Sequence, residues 1–96
     1  MRGEIEKVVK ELIRVVIEQA EKEKPGGSIS EKTDCINGQL NFAFFKTLKE
    51  IFSSWFPPSY AGYSKAVSIL ECCKGEFERT ILFPYENKKR EENGEV

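Results

Sequence analysis

Residues 40–56 read LNFAFFKTLKEIFSSWF, the most apolar segment of the sequence. Apolar side chains recur in it at spacings of four and three, at Leu40, Phe44, Leu48, Phe52 and Trp55. This period is typical of an amphipathic α-helix, and the neighbouring Phe45, Ile51 and Phe56 widen its apolar face. We therefore predict a helix over about residues 39–56 that forms the centre of the fold, with Trp55 largely buried.

A second amphipathic helix is predicted over about residues 4–24. Its apolar positions form a wide stripe, at Ile5, Val8, Val9, Leu12, Ile13, Val15, Val16, Ile17 and Ala20. Many of these residues are β-branched and disfavour a helix slightly, so burial has to outweigh propensity. Pro25-Gly26-Gly27 should end the helix, because proline cannot continue it and glycine suits the turn.

The segment between these helices allows two interpretations. Ser28 and Glu31 have the spacing of a capping box, which favours a short helix near residues 29–35. Alternatively, Asn37-Gly38 is a type I′ turn that joins strands at 31–36 and 39–44. We prefer the helical interpretation, because the alternation of apolar residues that a strand requires fails at Phe45.

Two β-favourable runs, residues 65–73 and 76–83, flank Lys74-Gly75 and predict a C-terminal β-hairpin. The predicted fold class is therefore α+β, with two amphipathic helices, a short helix and a hairpin. The alternative is an all-α fold with a third helix at residues 63–73, because Tyr63, Ala66, Val67, Leu70 and Cys73 also have helical spacing.

The length of 96 residues predicts a single small globular domain, which we place at residues 1–85. Residues 86–96 are polar and charged, and we predict a disordered tail there. No apolar run approaches the length of a membrane helix, and Glu4 and Glu6 interrupt the place where a signal peptide would need apolar residues. We therefore predict a cytoplasmic protein without a membrane partner.

Histidine is absent, so there is no imidazole general base and no Ser-His or Cys-His nucleophile. No set of carboxylates stands apart from ordinary helix-surface charge. We therefore predict no enzymatic activity, no catalytic residues and no cofactor. The three cysteines, Cys35, Cys72 and Cys73, lack the spacing of a structural zinc site. We predict no metal, with one cysteine of the Cys72-Cys73 pair in the core and the other near the surface.

The two apolar helices present more apolar face than one small core readily covers, and contiguous exposed apolar surface usually marks an interface. We predict a homodimer, the commonest symmetric assembly. The candidate interface residues are Val9, Leu12, Val16, Phe42, Phe45 and Phe56. The predicted function is a small protein-interaction module, acting as an adaptor, inhibitor or regulator. Short chains of this type are common in viruses and mobile elements. We therefore include a viral or mobile-element origin, by association with such chains.

The predicted order of helix, short helix, longer helix and hairpin resembles in outline a winged helix-turn-helix domain. That resemblance implies the alternative function, a DNA-binding transcriptional regulator whose longer helix enters the major groove. The candidate DNA contacts are Lys46, Lys49 and Arg79. The formal net charge of −1, spread evenly along the chain, supports nucleic acid binding poorly, because phosphate backbones demand an excess of basic residues.

Overall fold

A computed structural model of the chain describes residues 2–94 and contains α-helices joined by short connections, with no strand in that range. The first helix, α1, spans Arg2–Glu23, and the second, α2, spans Ile29–Glu50. The third and fourth, α3 and α4, span Tyr60–Phe77 and Phe83–Glu92. The described part of the chain is therefore all-α.

Two π-helical turns extend these helices. The turn at Ile51–Trp55 continues α2, and the turn at Glu78–Leu82 joins α3 to α4. Phe77 and Phe83, on either side of the second turn, both have right-handed helical backbone angles. The segment from Tyr60 to Glu92 is consequently one uninterrupted helix, which we call the C-terminal helix.

Local sequence signals set the helix ends as expected. After α1, Gly26 adopts a φ of +71°, a left-handed conformation that glycine reaches without steric cost. Ser28 and Glu31 form the capping box at the start of α2: the Ser28 hydroxyl accepts a 3.1 Å hydrogen bond from the Glu31 N–H, and the Glu31 carboxylate accepts from the Ser28 N–H. Ser59 caps α3 by accepting from the Gly62 N–H at 2.9 Å.

The predicted α+β class is wrong, and so is the hairpin at residues 65–73 and 76–83. Both runs lie in the C-terminal helix, and Lys74-Gly75 lies inside it rather than at a turn. Strand propensity depends strongly on context, and here the spacing of apolar residues at three and four outweighs it. The all-α alternative is confirmed in its class, although the helix predicted at 63–73 is longer.

The central segment also differs from the prediction. The short helix near 29–35 and the helix near 39–56 are one helix, because α2 runs through Asn37-Gly38 without a break. A single glycine inside a helix costs roughly 1 kcal/mol, an amount that a continuous hydrogen-bond ladder tolerates. With no hairpin and no separate short helix, the winged-helix resemblance loses its basis.

The described chain divides into two compact units, Met1–Leu48 and Lys49–Val96, which we describe separately. Residues 86–92, where composition predicts disorder, are helical in α4. The last two residues of the predicted tail lie outside the described residues. The assignment of residues 1–85 to a single domain stays a prediction.

Candidate functional site

The first unit is a pair of helices joined by polar contacts near their connecting turn. The Lys32 Nζ lies 2.9 Å from Glu21 Oε2 and links α2 to α1. The Cys35 thiol donates to Glu23 Oε2 at 2.8 Å, and the Gln39 amide donates to Cys35 Sγ at 3.1 Å. These contacts fix the end of α1 against the beginning of α2.

The contact between Cys35 and Glu23 alters the acidity of both groups. The hydrogen bond to Glu23, followed by desolvation, raises the pKa of the Cys35 thiol. The same hydrogen bond lowers the pKa of Glu23, with a smaller contribution from the Gln19 amide. Cys35 is therefore a poorer nucleophile than an ordinary thiol, because only the thiolate reacts.

Burial within the first unit is confined to a narrow stripe. Val16 and Ala20 of α1 are 5% and 2% exposed, and they are the only buried hydrophobic residues of the described chain. On α2 the half-buried apolar residues Ile36, Leu40 and Ala43 recur at spacings of four and three. This spacing places them on one face of α2, and the core of the unit is therefore a single seam.

Most other large apolar side chains of the first unit are exposed. On α1 they lie on both sides of the buried stripe, at Ile5, Val8, Val9, Ile13, Val15 and Ile17. On α2 they are Ile29, Phe42, Phe44 and Phe45. A helix with so wide an apolar face requires more than one neighbour, because a single packed helix covers only one stripe.

The predicted interface residues therefore fall into two groups. Val16 is buried within the chain and Leu12 is half-buried, so both contribute to the seam of the first unit. Val9, Phe42, Phe45 and Phe56 are exposed. Their role in an interface stays a prediction.

The aromatic stripe of residues 40–56 does not form a closed core. Trp55 is 81% exposed, so the prediction of a buried tryptophan is wrong. Phe52 is half-buried and lies close to the first turn of α3, where a Cβ on Gly62 would come within 3.5 Å of Phe52 Cδ1. Leu40 belongs to the seam of the first unit, whereas Trp55 lies in the π-helical turn of the second.

The C-terminal helix carries an apolar stripe that the sequence prediction missed. Its members are all exposed, and we call Tyr63, Val67, Leu70, Phe77 and Ile81 the C-terminal stripe. No residue described in the second unit is buried. The signal was present in the helical spacing of Tyr63, Val67 and Leu70, but the β-favourable composition of the segment outweighed it in our interpretation.

The candidate DNA contacts lie on two helical segments. Lys46 and Lys49 are one turn apart on α2, and Arg79 lies in the π-helical turn at Glu78–Leu82. Their role in DNA binding stays a prediction. The Arg79 guanidinium is paired with the Glu76 carboxylate one turn earlier on the same helix. The positive charge of Arg79 is therefore partly neutralised by an acidic residue of the same helix.

The cysteines are not grouped for metal chemistry. Cys72 and Cys73 are both exposed, so the prediction that one of them is a core residue is wrong. Among the described residues no group of three or more Cys, Asp or Glu side chains could hold a metal ion. Nor is any of the described helices both long enough and apolar enough to span a bilayer.

These observations define the class of the protein: it is all-α, with two helical units and wide exposed apolar faces. The chain belongs to the family described as "Domain of unknown function (DUF6899)", whose sequence model matches residues 1–96. No match was found among curated proteins or among solved structures.

Proposed function

We propose that this protein is a non-enzymatic protein-interaction module that acts in the cytoplasm as a homodimer through its apolar helix faces. The observation that supports this proposal is the exposure of large apolar side chains within each unit. Val16 and Ala20 are the only buried hydrophobic residues of the described chain, and no described residue of the second unit is buried.

Contiguous exposed apolar surface in a soluble protein usually marks an interface. Obligate homodimers bury roughly 1,000–2,500 Å² on each subunit, and their interfaces are more apolar than the rest of the surface. The exposed residues have that character, because large aliphatic or aromatic side chains are exposed on every α-helix. A second copy of the chain supplies a matching apolar surface automatically, which is why we propose a homodimer.

The experiment that tests this proposal is multi-angle light scattering on the eluted protein over a wide range of concentrations. We expect twice the chain mass of 11.0 kDa at micromolar concentration and above. A particle with the mass of one chain at every concentration would overturn the homodimer and remove the main support for an interaction module.

A further inference from the structure

We propose that the C-terminal stripe is the homodimer interface, and that the helix Tyr60–Glu92 pairs with the same helix of a second copy in antiparallel orientation, with a two-fold axis near residue 72. This inference rests on the proposed function, since it assigns the face through which the homodimer forms. Three observations support it: the spacing of the stripe, the single charged residue Lys74 that shares this spacing, and the exposure of the stripe residues.

The spacing of the stripe is the same in both directions along the helix. With Lys74 included, its positions are Tyr63, Val67, Leu70, Lys74, Phe77 and Ile81, at intervals of four, three, four, three and four residues. Intervals of this kind average 3.5 residues and form the seam of paired helices. Because the order of intervals reads the same when reversed, an antiparallel copy brings every stripe residue opposite another.

The pairs formed in this way are chemically compatible. Tyr63 lies opposite Ile81 of the second copy, and Val67 lies opposite Phe77 of the second copy. The π-helical turn at Glu78–Leu82 coincides with the last interval and ends in two apolar residues, Ile81 and Leu82. An isologous interface of this type requires no residue from outside the stripe, because each surface patch meets its own copy.

Lys74 is the one charged residue that shares the spacing of the C-terminal stripe, and it lies beside the proposed axis. Elsewhere on the C-terminal helix Arg79 pairs with Glu76, and Lys89 pairs with Glu92. In contrast, Lys74 and Glu71 make no ion pair within the described residues. In the antiparallel pair, Lys74 of each copy lies near Glu71 of the other. Its aliphatic stem covers Leu70 of the second copy while the ammonium group reaches the carboxylate.

The first experiment compares two neighbouring residues of nearly equal exposure. Leu70, in the stripe, is 47% exposed, and Ile69, outside it, is 45% exposed. We expect Leu70→Ser to convert the homodimer to monomer at concentrations where Ile69→Ser remains a dimer, with helical circular dichroism retained in both. Equal effects of the two substitutions on the measured mass would overturn the assignment of this face.

The second experiment tests the charge pair between copies. Glu71→Lys places two lysines of one copy against two of the other, and Lys74→Glu does the same with carboxylates, so each variant alone should be monomeric. Mixing the two variants brings opposite charges together at both contacts, and we expect a heterodimer to form. A mixture that stays monomeric, or single variants that dimerise like the wild type, would contradict the pairing.

The third experiment determines the orientation by disulfide formation, in chains whose natural Cys35, Cys72 and Cys73 are replaced by serine. We expect a mixture of Val67→Cys and Phe77→Cys chains to give a cross-linked heterodimer under mild oxidation, with neither variant cross-linking to itself. Self-linking of Val67→Cys would show a parallel pair and overturn the antiparallel assignment. A wild-type homodimer with no cross-link at these positions would overturn this inference and leave the proposed function standing, whereas a wild-type monomer would overturn both.

Discussion

Cys35 and Glu23 form the most specific side-chain contact between α1 and α2. The thiol donates to the carboxylate at 2.8 Å, which raises the pKa of Cys35 and lowers that of Glu23. This contact therefore contributes to stability only between an upper and a lower pH limit. It is present below the ordinary thiol pKa and is lost as the pH rises through the raised value. At the acid end it is lost as the pH falls through the lowered pKa of Glu23.

Thiol reactivity measures this contact directly. We expect iodoacetamide to label Cys35 more slowly than Cys72 or Cys73 at mildly alkaline pH, because Cys35 is half-buried and its thiolate fraction is reduced. Glu23→Ala should accelerate labelling of Cys35, whereas Glu21→Ala, which removes the partner of Lys32 instead, should not. Mass spectrometry of each peptide gives the three rates, and equal rates at all three cysteines would contradict the contact.

Trp55 offers a second test at the scale of one residue. With 81% of its surface exposed and a position outside the C-terminal stripe, it should emit at long wavelength and be quenched freely by iodide, even in the homodimer. Trp55→Ala should change the free energy of unfolding by no more than about 0.5 kcal/mol, as exposed substitutions do. Blue-shifted emission that resists the quencher would show instead that Trp55 is covered.

At the scale of the helices, Gly75 distinguishes the observed helix from the predicted hairpin. It lies inside α3, and a Cβ placed there meets nothing within 4 Å. Gly75→Ala should therefore raise the free energy of unfolding by roughly 0.5–1 kcal/mol, the difference in helix propensity. Gly26→Ala is the matched control and should destabilise, because Gly26 has a φ of +71°. Destabilisation by Gly75→Ala, measured by urea unfolding, would favour a turn at Lys74-Gly75.

The capping box at the start of α2 gives another prediction at this scale. Ser28→Ala should lower the free energy of unfolding by about 1 kcal/mol, because it leaves the Glu31 N–H without its acceptor. Ser28→Asp preserves an oxygen acceptor beside the helix N-terminus and should retain most of the stability. Urea unfolding of both variants checks this. No loss in Ser28→Ala would mean that the cap contributes nothing, and equal losses in the two would mean that the Asp oxygen does not replace the Ser28 hydroxyl.

The boundaries of the helices show what local sequence determines. Pro25-Gly26-Gly27 and Ser28 predicted the end of α1 and the start of α2, because caps and turns depend on a few adjacent residues. The segment around Lys74-Gly75 was predicted incorrectly, because short runs such as Val67 to Cys73 satisfy strand and helix patterns together. The C-terminal stripe was missed for the same reason, since it exists only when residues 63–81 form one helix.

For the whole molecule, the main feature to explain is the exposure of its apolar helix faces. Val16 and Ala20 alone are buried in the described residues, and two buried side chains are a small core for a protein of 96 residues. The sequence predicted excess apolar surface from the widths of the first two helical faces. It did not predict how little of that surface a single chain buries, because burial depends on tertiary packing that helical periodicity alone does not specify.

The concentration dependence of thermal unfolding, followed by circular dichroism at the helical band, shows whether a second copy of the chain covers the apolar faces. If a second copy covers the apolar faces, association stabilises the folded chain by mass action, and Tm should rise steadily as the protein concentration is increased. Leu70→Ser should weaken that dependence, and Ile69→Ser should preserve it. A single cooperative transition whose Tm is the same at all concentrations would mean that the protein is not a homodimer.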